Sequence, residues 1–123
     1  MKARVLIADD ASFMRQMIRE IIEPEGYEVV GEATNGVEAV EQYLDLHPDL
    51  VTMDIVMPKR SGIDAVKGIL AEDPGARVVM CSALGQETLV MEALQAGARD
   101  FIVKPFKPES VVATLEKILE KGD

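Results

Sequence analysis

Short runs of β-branched and other apolar residues alternate five times with longer segments of helical spacing along this 123-residue chain. The short runs are typical of buried strands, and the segments between them repeat apolar residues every three or four positions, as amphipathic helices do. This alternation predicts one α/β domain, with a doubly wound, five-stranded parallel sheet that helices cover on both faces. The predicted strands are Arg4–Ala8, Tyr27–Ala33, Leu50–Met53, Arg77–Cys81 and Phe101–Val103.

Each helical segment carries an apolar stripe that we expect to face the core. Residues that commonly end helices follow the first four segments, and Pro108 suits the first turn of the fifth. The endings are Pro24 with Gly26, His47-Pro48, Asp73-Pro74-Gly75 and Gly97. The stripes are Met14, Met17, Ile18, Ile21 and Ile22; Val37, Val40 and Leu44; Ile63, Val66 and Leu70; Leu89, Ala93 and Leu94; and Val111, Leu115, Ile118 and Leu119.

The composition excludes several classes of protein. With 48% apolar and 28% charged residues, the chain has the balance of a globular domain rather than of a disordered segment. Thirteen basic residues against 22 acidic ones give a net charge of −9, which argues against binding to nucleic acid. The single cysteine, Cys81, excludes an intramolecular disulfide and a multi-cysteine zinc site. No apolar run is long enough to cross a membrane, so we expect a cytoplasmic protein that does not bind membranes.

Polar residues follow four of the predicted strands at the point where each strand ends. They are Asp9-Asp10, Asp54, Ser82 and Lys104. Because the carboxyl ends of parallel strands meet at one edge of a sheet, and sites of such sheets lie there, we expect these side chains to converge. A single aspartate after a strand is more commonly a helix cap or a turn residue. Three carboxylates together with a lysine predict a site.

The converging residues have the chemistry of phosphoryl transfer to an aspartate. Three close carboxylates repel one another, and their oxygens together with open water positions suit Mg²⁺. The chain has no glycine-rich phosphate loop, which makes nucleotide binding improbable. No Ser-His-Asp or Cys-His set is available, because the only histidine, His47, stands at a predicted helix end. A carboxylate nucleophile, Mg²⁺ and a lysine remain.

The motifs at these strand ends resemble, in order and spacing, the receiver domain of response regulators over essentially the whole chain. Within that family the chain is most similar to chemotaxis regulators of the type found in Gram-positive and thermophilic bacteria. The resemblance implies a flavodoxin-like fold with strand order 2-1-3-4-5, in a single domain of residues 1–123 without an output domain. The family motifs are Asp9-Asp10, Asp54-Ile55-Val56-Met57-Pro58 with Gly62, Ser82-Ala83 and Lys104-Pro105-Phe106; the chemotaxis type is indicated by Ala11-Ser12-Phe13-Met14-Arg15, Cys81-Ser82-Ala83-Leu84-Gly85-Gln86 and Phe101-Ile102-Val103.

The resemblance also implies a role for each residue of the site. Asp54 is the expected phosphoacceptor, and Mg²⁺ is expected on Asp10 and Asp54 directly, on Asp9 through water and on the backbone carbonyl of Val56. Ser82 and Lys104 are expected to bind phosphoryl oxygens, and the Lys104–Pro105 bond is expected to be cis. Two positions depart from the family pattern: Val56 replaces a side chain that is polar in many relatives, and Phe101 replaces a tyrosine of enteric chemotaxis regulators.

These roles predict a signalling protein rather than an enzyme, with phosphoryl uptake and autodephosphorylation as its only chemistry. We expect a monomer whose partners are a histidine kinase, a flagellar motor switch protein and a phosphatase. Phosphorylation is expected to act through Ser82 and Phe101 on the face of the fourth helix, fifth strand and fifth helix, unless Phe101 is a fixed core residue. The alternatives are a phosphorelay intermediate of the sporulation type and, more distantly, a small aspartyl phosphatase, which needs an acid where Val56 stands. A flavin-binding protein is disfavoured, because aromatic residues make up only 4% of the chain.

Overall fold

Five strands and five α-helices alternate along residues 2–120, which are the residues that the structure, a computed structural model, describes. The ends of the predicted domain, Met1 and residues 121–123, lie outside the described residues. A single turn of 3₁₀ helix, Glu23–Glu25, follows the first helix. The strands are β1 (Arg4–Ala8), β2 (Glu28–Ala33), β3 (Leu50–Asp54), β4 (Val78–Ser82) and β5 (Asp100–Val103), and the helices are α1 (Ser12–Ile22), α2 (Gly36–Leu46), α3 (Gly62–Glu72), α4 (Glu87–Ala96) and α5 (Pro108–Glu120).

The strands form one parallel sheet in the order β2-β1-β3-β4-β5. The predicted fold class and strand order are therefore confirmed. Every residue of β3 and β4 is buried, as expected of central strands that helices cover on both faces. One apolar cluster packs α1 and α5 on one face of the sheet, and a second packs α2, α3 and α4 on the other. None of the helices within residues 2–120 is long and apolar enough to cross a membrane.

The helix ends lie close to the predicted residues. Gly26, His47 and Gly97 adopt the left-handed conformation that commonly stops a helix, with φ values of 99°, 46° and 118°. Pro108 is the first residue of α5, as predicted. Two strands extend one residue beyond their predicted ends, so that Asp54 is the last residue of β3 and Ser82 the last of β4.

The predicted core stripe of α2 is wrong in part. Val37 and Leu44 are exposed, and α2 instead buries Gly36, Ala39 and Tyr43. Two polar contacts hold the helix in this orientation. The Gly36 N–H donates to a backbone carbonyl of the loop after β3, and the Tyr43 hydroxyl donates to an aspartate at the end of α3 at 2.6 Å. Hydrophobic spacing alone therefore misplaced the buried face of this helix.

Candidate functional site

The carboxyl edge of the sheet brings three aspartates and one lysine together, a group that we call the acidic pocket: Asp9, Asp10, Asp54 and Lys104. Asp9 follows β1 and Asp54 ends β3, and these strands are neighbours in the sheet. One carboxylate oxygen from each of the three aspartates lies within 4.8 Å of the others. Asp9 and Asp54 are buried and Asp10 is exposed. Three hard oxygen donors at this spacing, with one open to solvent, fit Mg²⁺.

Lys104 contacts two of these aspartates. Its Nζ lies 3.1 Å from Oδ2 of Asp9 and 3.2 Å from Oδ1 of Asp54. The residue follows β5, and its backbone N–H donates to the carbonyl of Ser82 at 2.7 Å. The Lys104–Pro105 peptide bond is cis, as predicted. The lysine therefore lies at the junction between the carboxylates and the end of β4.

The acidic pocket perturbs the protonation of its own members. Burial and the neighbouring Asp9 charge raise the pKa of Asp54 above its ordinary value, although Lys104 acts in the opposite direction. Burial alone lowers the pKa of the Lys104 ammonium, but the two carboxylates outweigh burial and raise the pKa above its ordinary value. The pocket thus has more negative than positive charge, and a bound cation would neutralise the excess.

The loop after β3 packs tightly against the phosphoacceptor predicted from the sequence. A Cβ at Gly62 would lie 1.9 Å from the Asp54 carbonyl oxygen, so only glycine fits here. The Gly62 N–H donates to the carbonyl of Ile55 at 2.7 Å, and the Ile55 N–H donates to Oδ1 of Asp54 at 3.0 Å. Val56, the other expected metal-binding position, follows in this loop with its side chain 58% exposed. The start of α3 therefore fixes the backbone on which Asp54 stands.

Ser82 and Phe101 lie on the same face of the sheet, on neighbouring strands. Ser82 is buried at the end of β4, and Phe101 on β5 is paired with Met80, two residues earlier on β4. Both line a groove of about 290 Å³. Phe101 is 39% exposed and is therefore not a fixed core residue. We call the exposed apolar side chains around this groove the switch face: Leu84, Met91, Phe101 and Val103.

One residue of the site was not given a role by the sequence analysis. Arg15, at the end of the first turn of α1, donates from Nη1 to the backbone carbonyl of Asp9 at 2.6 Å and from Nε to Glu32 on β2 at 2.8 Å. Its position near the start of α1, next to the acidic pocket, is a weak signal. The pairing with a glutamate on a different strand depends on the sheet register, which no local pattern shows.

The response-regulator receiver domain model matches residues 5–116, which include every residue of the acidic pocket. The chain belongs to this family. The prediction from the four strand-end motifs is confirmed. Receiver domains are signalling modules that carry an acidic site for Mg²⁺, and the acidic pocket occupies the corresponding edge of this chain.

Two curated relatives indicate the branch of the family. The chain is 60% identical to the chemotaxis protein CheY of Thermotoga maritima, over 96% of this chain and 98% of the relative. It is 55% identical to the chemotaxis protein CheY of Bacillus subtilis, over 97% of this chain and 99% of the relative. The prediction of a chemotaxis response regulator of the Gram-positive and thermophile type is confirmed.

A solved structure of a chemotaxis protein has the same fold. The complex of CheX, CheY, BeF3 and Mg²⁺ from Borrelia burgdorferi matches with a TM-score of 0.90 and 40% identity, over 94% of this chain and 88% of the matched chain.

Proposed function

We propose that this receiver domain takes a phosphoryl group from a histidine kinase onto Asp54 and thereby changes its affinity for a flagellar motor switch protein. The observation that carries the proposal is the acidic pocket itself. Asp54 ends the central strand, 3.2 Å from a lysine ammonium and beside two further carboxylates. The proposed unit is the single receiver domain, acting as a monomer.

The donors of the pocket fit Mg²⁺. Asp10 and Asp54 would hold the ion directly, Asp9 through water, and the Val56 backbone carbonyl would complete the share of the protein. The three carboxylates carry a charge of −3 and Lys104 carries +1, so one divalent cation neutralises the edge. When bound, the ion supplies charge neutralisation that lets anionic phosphoryl oxygens approach anionic Asp54.

The proposed transfer is a displacement at phosphorus. An oxygen of the Asp54 carboxylate forms the new P–O bond, and the P–N bond to the kinase histidine breaks, with its electron pair returning to the imidazole nitrogen. The Lys104 ammonium and the Ser82 hydroxyl donate hydrogen bonds to the phosphoryl oxygens. The product is an acyl phosphate, which water hydrolyses to restore the carboxylate.

The switch face is the proposed output surface. If the Ser82 side chain moves toward the phosphoryl group, the groove that it lines with Phe101 gains room for the aromatic ring. The phosphoryl group then favours one of two arrangements because Ser82 and Lys104 contact it differently in the two. The partially exposed ring and its neighbours Leu84 and Met91 supply an apolar surface for a partner.

The partners proposed for this chain are a histidine kinase, a motor switch protein and a phosphatase. The match to a CheY that was solved in complex with CheX, BeF3 and Mg²⁺ supports a partner of the CheX kind. The sequence identity to chemotaxis proteins, which extends over nearly the whole chain, supports the motor switch protein as the partner that receives the signal.

The proposal is tested by incubation with acetyl phosphate and Mg²⁺, followed by intact mass measurement. We expect one phosphoryl group on the wild-type protein and on Asp45→Asn, which alters an exposed carboxylate of α2. We expect none on Asp54→Asn, and none on the wild type when a chelator removes Mg²⁺. Phosphoryl uptake by Asp54→Asn at the wild-type rate would show that the phosphoacceptor is another residue.

A further inference from the structure

The two peptide groups on either side of the Asp9 Cα are each held by a hydrogen bond. The Asp9 N–H donates to the Ala33 carbonyl on β2 at 3.0 Å. The Asp9 carbonyl accepts from Nη1 of Arg15 at 2.6 Å. The Asp9 side chain is fixed as well, because its Oδ1 accepts from the Ala11 N–H at 2.9 Å. The backbone at Asp9 therefore has little freedom to turn.

Arg15 is itself anchored at its other donor. Its Nε lies 2.8 Å from Oε1 of Glu32, and its side chain is only 14% exposed. The second oxygen of Glu32, Oε2, accepts from Nη2 of Arg19 at 2.6 Å. Arg15 thus forms a bridge between β2 and the Asp9 carbonyl, whereas Arg19 pairs with Glu32 and Glu23.

The position of Asp10 depends on the Arg15 bridge more than the position of Asp9 does. Within residues 2–120 its exposed carboxylate has no hydrogen-bond or ion-pair partner of its own. The Asp9 carbonyl and the Asp10 nitrogen and Cα share one planar peptide group. Holding the carbonyl oxygen therefore sets the position of the Asp10 Cα, from which the carboxylate extends.

We propose that Arg15 is a positioning residue for the cation site: by holding the Asp9 carbonyl, it places the Asp10 carboxylate where it binds Mg²⁺. This inference rests on the metal site of the proposed function. It adds that the Arg15 guanidinium, which does not itself bind the metal, maintains the arrangement of the carboxylates. Removal of a hydrogen bond that orients a metal-binding residue without contacting the metal commonly weakens metal affinity by about 10- to 100-fold.

The positive charge of Arg15 should lower the Mg²⁺ affinity, whereas its positioning role should raise the affinity, and the two effects can be separated. A positive charge near the pocket repels Mg²⁺, so its removal alone would strengthen binding. Arg15→Lys keeps the charge but loses the planar fork that reaches two acceptors at once. Arg15→Met removes both the charge and the donors. Positioning predicts that both variants bind Mg²⁺ more weakly, whereas charge alone predicts no change for lysine and tighter binding for methionine.

The experiment is calorimetric titration with Mg²⁺ of the metal-free wild type, Arg15→Lys, Arg15→Met and Arg19→Lys. Arg19→Lys is the matched control, because it alters the other arginine on Glu32 and leaves the Asp9 carbonyl contact in place. Circular dichroism establishes that each variant is folded at the titration temperature. We expect about tenfold weaker binding by both Arg15 variants and unchanged binding by Arg19→Lys.

A second readout separates positioning from a general loss of structure. In phosphorylation by acetyl phosphate, Arg15→Lys should need more Mg²⁺ for half-maximal rate but reach the wild-type rate at saturating Mg²⁺. Equal Mg²⁺ affinity of the wild type and Arg15→Lys would overturn the positioning role and leave Asp54 as phosphoacceptor intact. Absence of Mg²⁺ binding by the wild type would overturn the metal site and this inference together.

Discussion

The acidic pocket and the switch face lie close together on the same sheet, but different kinds of contact hold their side chains. In the pocket, hydrogen bonds fix Asp9 and Asp54 at distances near 3 Å to Lys104 and to backbone N–H groups. The switch face consists of exposed apolar side chains, for which no direction of contact is imposed. Chemistry at phosphorus needs fixed donors, whereas a surface that reports phosphorylation needs two arrangements of similar energy. The contrast supports the proposal that the acidic pocket performs the reaction and the switch face responds to it.

A short connection joins the two regions. Lys104 reaches the carboxylates with its side chain, while its backbone N–H donates to the carbonyl of Ser82 at 2.7 Å. Ser82 in turn lines the groove that contains Phe101. Two contacts, from Asp54 to Lys104 and from Lys104 to Ser82, therefore connect the phosphoacceptor position with the groove of the switch face, and the comparison can be tested by altering each side separately.

The largest effect is expected on the pocket side. Lys104→Ala removes the proposed donor to the phosphoryl oxygens and should slow phosphorylation by acetyl phosphate about 100-fold, as loss of one preorganised donor commonly does. The rate is measured by intact mass over time. Lys117→Ala, which removes an exposed lysine paired with Asp100, should react like the wild type. An unchanged rate in Lys104→Ala would remove the lysine from the chemistry.

A smaller effect is expected on the switch face, and on binding rather than on chemistry. Phe101→Ala should weaken binding of the phosphorylated protein to a motor switch peptide about tenfold, as expected for an aromatic anchor of an interface. Its phosphorylation rate should not change. Leu44→Ala on α2 is a matched control, because Leu44 and Phe101 are both 39% exposed. Equal peptide affinities in the two variants would show that the partner binds elsewhere.

The metal-free pocket should gain stability when it loses a charge. Asp54→Asn keeps an oxygen that accepts from Ile55 and Lys104 but removes a buried carboxylate, so the free energy of unfolding should rise by about 1 kcal/mol at pH 7. Because the folded-state pKa of Asp54 is raised, its destabilising effect is complete above that pKa. The difference should therefore shrink as the pH falls toward the ordinary aspartate pKa.

Chemical denaturation in the presence of a chelator measures this difference. Mg²⁺ should stabilise the wild type more than Asp54→Asn, since only the wild type has all three carboxylates of the site. Lower stability of metal-free Asp54→Asn than of the wild type would contradict the idea that the pocket holds uncompensated charge.

The smallest effect is expected for Glu32, which pairs with Arg15 next to the acidic pocket. Hydrogen bonds from Arg19 and Arg15 hold the pKa of Glu32 below its ordinary value. Glu32→Gln should lower the free energy of unfolding by about 0.5 kcal/mol at pH 7, a typical value for a partly exposed ion pair. This contribution is present above the ordinary glutamate pKa and is lost as the pH falls through the lowered, folded-state pKa.

A pair of denaturation series across pH measures the Glu32 effect. The stability difference between the wild type and Glu32→Gln should shrink as the pH falls below the ordinary glutamate pKa and should vanish below the lowered, folded-state pKa. Glu41→Gln, which changes an exposed residue of α2, should match the wild type throughout. A difference between wild type and Glu32→Gln that grows as the pH falls would contradict the assigned direction of the pKa shift.

The site could be predicted from the sequence because the sheet topology determines it. Once Asp9, Asp54, Ser82 and Lys104 are recognised as residues that follow parallel strands, their meeting at one edge is a consequence of the fold. Composition then restricts the chemistry, since the chain has one histidine and one cysteine.

Features that depend on contacts between distant segments could not be predicted in this way. The buried face of α2 is set by a tyrosine that bonds to the end of α3, not by its apolar spacing. The bridge from Arg15 to Glu32 depends on the position of β2 in the sheet, and the β1–β2 pairing contains a register shift between Val5 and Leu6. A periodic pattern contains no information about such pairings.

The central claim, that phosphorylation of Asp54 controls the switch face through Ser82, is tested most directly by one binding measurement. The affinity for a motor switch peptide is compared with and without beryllofluoride and Mg²⁺, for the wild type and Ser82→Ala. We predict about a tenfold beryllofluoride-linked gain in the wild type, a typical allosteric coupling, and little or no gain in Ser82→Ala. Equal gains in the two proteins would contradict the coupling through Ser82.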